Sequence, residues 1–128
     1  MGWLALLVAG CGGGWNCVEV DDTCAPLYEP TFDNVYTNTL QPTCGVAGGG
    51  CHSSEGAQAG LVFDDPDDAY EALTAGDSPI VTPGDPSCSL LIIRLEQSDP
   101  DDAMPPGSPL DAAERCAVAQ WVAAGASR

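Results

Sequence analysis

One stretch of this chain holds residue types and a spacing that point to chemistry beyond folding: Cys44-Gly45-Val46-Ala47-Gly48-Gly49-Gly50-Cys51-His52. His52 is the only histidine, and Met104 is the only methionine besides Met1. Thiol, imidazole and thioether groups are the donors that transition metals favour. A histidine directly after a cysteine, with a second cysteine upstream, is the pattern of covalent haem attachment. Two thiols add to the two haem vinyl groups and the adjacent imidazole ligates the iron. Met104 lies in Ala103-Met104-Pro105-Pro106-Gly107 and would supply the ligand on the opposite face. Pro105 and Pro106 favour an extended, stiff loop there. The usual motif has two residues between the cysteines, whereas six intervene here. Four of those are glycines, which reach backbone conformations closed to other residues. The same spacing also suits a Cys44–Cys51 disulfide in an oxidising compartment, so two readings stand side by side.

Other chemistries fare worse. The chain has 19 acidic residues against three arginines and no lysine, a formal net charge of −16. Nucleic-acid binding requires cations facing phosphates and is excluded. Such a surface attracts a basic protein partner and repels an anionic membrane. The Gly48–Gly50 run lacks the lysine and the preceding strand of a phosphate loop. Hydrolase chemistry of the Ser/His/Asp kind lacks its elbow glycines, and the one histidine of the chain follows Cys51 in the pattern described above. Asp64, Asp65, Asp67 and Asp68, and then Asp99, Asp101 and Asp102, form two acidic clusters without the ligand order of a calcium loop; solvated loop charge is the simpler reading.

The elements that must position these groups are helical. Phe32, Val35, Tyr36 and Leu40 recur at helical spacing and predict a helix over Phe32–Gln41, ended by Pro42. A second is expected over Pro66–Ala75, capped by Asp65 and stopped by Gly76. A third, over Pro86–Glu96 with Asp85 as cap, is apolar nearly all round and should be deeply buried. The fourth, Ala112–Ala124, has Asp111 and Glu114 placed as in a capping box and Gly125 as its stop. Long loops separate them, and only Leu61–Phe63 suggests a very short strand. The expected fold is all-α, about four short helices with long loops, stapled by disulfides because the core is small.

Residues 3–9 form an apolar run too short to span a bilayer, of the length of a signal-peptide core, and residues 1–10 are expected to be a lipoprotein-type signal peptide. Val8-Ala9-Gly10-Cys11 resembles the lipobox of bacterial lipoproteins, which implies lipidation at Cys11 and membrane association through that anchor alone. Residues 11–31, rich in glycine, proline and polar groups, are expected to be a tether, leaving 32–128 as the folded domain. Seven cysteines in so short a chain fit an exported, oxidised setting, periplasmic or at the cell surface. With Cys11 set aside, Cys17 with Cys24 and Cys88 with Cys116 are the expected disulfides.

From Phe32 onward the chain resembles small bacterial cytochrome c domains found on exported proteins and lipoproteins of myxobacteria and planctomycetes. The pieces that carry the likeness are, in order, Leu40–Cys44, Cys51-His52, Ala59–Leu61, Ala69–Leu73, Val81–Pro86, Leu90–Leu95, Met104–Pro106 and Trp121–Ala126. The resemblance implies a cytochrome c-like fold and an electron carrier rather than an enzyme. It implies one covalent haem c, with Cys44 and Cys51 as thioether cysteines and His52 and Met104 as iron ligands. Redox proteins, basic ones by charge, are the implied partners. The alternative is a haem-free, disulfide-stabilised binding or structural lipoprotein domain.

Overall fold

The computed structural model of the chain describes residues 16–45 and 51–128. The leader, Cys11 and the loop 46–50 lie outside the described residues. Within them every regular element is helical and no strand forms. Helix α1 (Phe32–Val35) runs straight into a π-helical segment (Tyr36–Cys44); after a 3-10 turn (Gln58–Gly60) come α2 (Pro66–Thr74), α3 (Leu90–Glu96) and α4 (Ala112–Ala123). This is the expected all-α architecture with long loops. Leu61–Phe63 stays irregular.

Local chemistry sets the ends of the elements. Thr31 caps α1, its hydroxyl accepting from Asn34 N–H. Asp65 caps α2 by accepting from the N–H groups of Asp67 and Asp68, with Pro66 in the first turn as expected. Three ends depart from expectation. Pro42 does not stop the first helix but sits inside it, and the helix continues to Cys44. A proline ring clashes with the carbonyl four residues back in an α-helix, and the wider π winding relieves that clash. Helix α3 begins at Leu90 rather than Pro86, because Asp85 caps a turn instead. Its carboxylate accepts from Cys88 N–H, and the buried Ser89 hydroxyl donates to Asp85 O. Asp111 makes no side-chain cap on α4, since Glu114 accepts from the Thr39 hydroxyl at 2.8 Å and does not turn back to the helix end.

The core lies where α1, α2 and α4 meet. Phe32 packs edge-on against Tyr70 at 5.1 Å between ring centroids and lies 5.5 Å from Trp121. Val35, Leu40, Leu73, Val118 and Val122 fill the space around them, all essentially inaccessible to solvent. The aromatic heteroatoms find backbone acceptors: Trp121 Nε1–H donates to Ser127 O, Tyr70 to Ala126 O, and Tyr36 to the carbonyls of Phe63 and Asp64. Helix α4 buries Cys116, Ala117, Val118, Ala119, Trp121 and Val122, so it is apolar on nearly every side.

The stretch expected to be a tether lies on the body from Cys17 onward. Val18 N–H donates to Ser87 O and Leu27 N–H to Ala113 O, both at 2.9 Å. Gln120 donates to the carbonyls of Asp22 and Cys24. The expected disulfide pairs are corrected: the bonds are Cys17–Cys88 and Cys24–Cys116. Cys17 and Cys24 each meet a cysteine of the body because the strap runs across the turn before α3 and then along α4. Sequence proximity does not fix connectivity.

Each bond closes a long loop, 71 and 92 residues in separation. Replacing Cys24 and Cys116 together by serine should cost about 4 kcal/mol of unfolding free energy, read by denaturant titration. Non-reducing peptide mapping should find Cys17 joined to Cys88. A Cys17–Cys24 peptide would contradict the strap.

Candidate haem-binding cavity

Cys44 ends the π-helical segment, and Gly45 closes it with an N–H bond to Leu40 O at 2.7 Å. A side chain at Gly45 would have its Cβ 3.1 Å from Gln41 O, so the chain turns away here at a point that favours glycine. The chain returns at Cys51, and His52 N–H donates to Cys44 O at 3.0 Å. That one backbone bond joins the two sides of the six-residue detour. The His52 carbonyl in turn accepts from Phe63 N–H at 2.6 Å, and the two rings lie 5.2 Å apart. Gln58 N–H donates to Cys51 O at 2.8 Å, so the cysteine is anchored as well.

These groups border a cavity of about 540 Å³, the size of a small-molecule or cofactor site. Cys44, Cys51 and His52 lie along it, and so does Met104, carried in from the loop between α3 and α4. Leu90, Leu91 and Leu95 of α3, with Leu40, Leu61 and Phe63, make its wall apolar. Leu90 and Leu91 are only half-buried although their helix reads as fully apolar, because that face borders the cavity. The four residues singled out from sequence therefore come together at one place. Cys11 lies outside the described residues.

The chemical state of the donors matters as much as their position. Four cysteines are paired, and Cys44 and Cys51 are free thiols, the first half-buried and the second exposed. Burial pushes the Cys44 thiol up to about 11, with the Glu114 carboxylate and Cys51 adding to the effect. His52 Nδ1 is buried and has no hydrogen-bond partner among the described residues. An unpaired buried polar atom costs on the order of 1–3 kcal/mol, so it calls for a ligand or another explanation. No three His, Cys, Asp or Glu side chains among the described residues gather closely enough to hold a bare metal ion. Iron that arrives in a macrocycle brings four nitrogens and asks the protein only for axial ligands. The donor set fits that group better than it fits an ion alone.

Two features escaped the sequence reading. Behind Cys44, Tyr28 and Thr39 share a hydroxyl–hydroxyl bond of 2.6 Å, and Thr39 donates to Glu114. This chain ties the strap, the π-helical segment and α4 together. Burial raises the Tyr28 phenol. Arg94 is the other, a cation on the cavity rim beside Asp101 and Asp102. Its place as the single charge among Leu90–Leu95 was the available signal. The acidic clusters serve as local partners: Asp64 accepts from Ser54 N–H, Asp65 is the α2 cap, and Asp99 accepts from Asp101 N–H.

In haem-free chain whose Cys44 and Cys51 are thiols, iodoacetamide should modify Cys51 first. Cys44 should react slowly at pH 8, and its rate should keep rising as the pH approaches about 11, because only the thiolate attacks. Glu114→Gln should shift the Cys44 profile to lower pH. Peptide mass mapping over time reads both, and equal rates at the two cysteines would contradict the geometry.

Residues 49–108 match the family described as Planctomycete cytochrome C. No curated protein matches the chain, and neither does a solved structure. The matched stretch takes in Cys51, His52 and Met104 and the helices α2 and α3 between them. Together with a helical, disulfide-stapled fold around an apolar cavity that these residues border, the match supports a cytochrome c-like domain.

Proposed function

We propose that this domain is an exported electron carrier that holds one haem c. Cys44 and Cys51 form the thioether bonds, His52 ligates the iron, and Met104 is the ligand on the other face. The observation that supports this most is the sorting of the cysteines. The four that lie away from the cavity are paired with one another, and the two that border it are free beside the only histidine.

Haem iron bound there would supply one-electron chemistry. The residues supply the rest. Each thiol would attach to haem by adding its S–H across one vinyl double bond, with no atom lost. Cys44 stays a neutral thiol at ordinary pH until it reacts. The leucines of α3 and Phe63 keep water from the cavity wall, which favours the less charged state of a bound metal centre. Met104, a soft thioether, would raise the potential of a bound haem relative to a harder ligand. The His52–Cys44 backbone bond supports the six-residue spacing, since it holds the His52 backbone against that of the first cysteine.

The surface suits a basic redox partner. Each of the three arginines is already paired with carboxylates, Arg94 with Asp102, Arg115 with Glu96, and Arg128 with Asp33 and Asp67. The remaining acids leave a strongly negative field, so association should be fast at low salt and fall as salt rises. A lipid on Cys11 would hold the domain at a membrane surface; no helix among the described residues is long and apolar enough to cross one.

Protein made in a host with a c-type cytochrome maturation system should show a Soret band and a pyridine haemochrome of the c type, and an intact mass greater by one haem. Met104→Ala should lower the potential and open a site to carbon monoxide while the haem stays attached. A colourless protein lighter by the six hydrogens of three disulfides would instead support a haem-free binding domain.

A further inference from the structure

Three hydrogen bonds join Arg94, near the end of α3, to the loop that carries Met104. Arg94 O accepts from Met104 N–H at 2.9 Å. The Arg94 guanidinium donates through Nη1 to the Asp102 carboxylate at 2.7 Å and to the Asp102 carbonyl at 3.2 Å. The loop between is itself a tight turn. Asp102 and Ala103 both donate to Asp99 O, and Asp101 N–H donates to the Asp99 carboxylate. So a preformed turn is pinned at two points, and Met104 leaves the second point at the cavity rim. Arg94 is the one arginine among the described residues that line that cavity.

We propose that Arg94 is the positioning residue for Met104: it bolts the 99–104 turn to α3, and so fixes where the thioether stands. The inference deepens the haem reading and rests on it for its functional meaning. The bolt is releasable. Both partners of the ion pair are partly open to water, with 37% and 54% of their side chains exposed. Pairs of that kind add little to global stability. Losing the Arg94 side chain should therefore loosen the turn that leads into Met104, with the backbone bond from Met104 N–H to the residue 94 carbonyl kept and the domain still folded, which separates a positioning role from a merely structural one.

The test uses Arg94→Leu and Arg94→Lys, each with two readouts. In the haem-free chain, hydrogen exchange at the Asp102 and Ala103 amides of the turn should quicken up to about 5-fold in Arg94→Leu, with an unchanged unfolding midpoint. Arg94→Lys should recover part of the protection, since lysine can keep the pair with Asp102 and makes a single-point contact. In haem-loaded protein, the methionine–iron charge-transfer band should weaken in Arg94→Leu, external imidazole should enter about 10-fold faster, and the lysine variant should fall between. Exchange at the wild-type rate in Arg94→Leu, or loss of protection spread over the whole domain, would overturn the inference. A wild-type chain that takes up no haem would overturn the proposed function instead, and the exchange measurement would still decide the role of Arg94.

Discussion

The hydrogen bond from His52 N–H to Cys44 O is the constraint on which the site depends. It makes neighbours of two residues that a six-residue, glycine-rich excursion separates in the chain. The π-helical winding delivers Cys44 to one side of that bond, and the turn anchored at Gln58 delivers Cys51 to the other. In the proposed haem site this backbone pairing, rather than a single helical turn, would bridge the longer gap between the cysteines.

The rest of the fold keeps that base still. On one side the aromatic cluster of Phe32, Tyr70 and Trp121 packs α1, α2 and α4 into a closed core. On the other side the leucines of α3 border the cavity that Cys44, Cys51, His52 and Met104 also line. A small domain with an apolar cavity needs reinforcement, and the strap provides it through two disulfides that close long loops. The Tyr28–Thr39–Glu114 chain carries that reinforcement to the helix that ends in Cys44. The strap that leads toward Cys11 thus stiffens the cavity as well as connecting to a proposed membrane anchor.

Much of this was legible in sequence where one local rule decides the outcome. Asp65 followed by Pro66 marks a helix start without reference to anything distant, and α2 begins there. The pairing of Cys51-His52 with the lone Met104 pointed to one site, and all three border one cavity. Rules failed where a distant partner competed. Pro42 reads as a stop only if the helix is α, and a π winding admits it. Glu114 reads as half of a capping box until Thr39, 75 residues away in sequence, takes its carboxylate. The disulfides are the clearest case: spacing favoured Cys17 with Cys24, but the path of the strap over the body decides which thiols meet, and spacing carries no record of that path.

The central claim is that Cys44 and Cys51 are kept for a porphyrin and not for each other. Fragment-ion mass spectrometry of the peptide spanning residues 44–52, from protein made where haem ligation machinery is present, tests it most directly. The account predicts that both cysteines carry thioether bonds to one haem. Finding the two sulfurs joined as a disulfide, with no haem on the peptide, would contradict it.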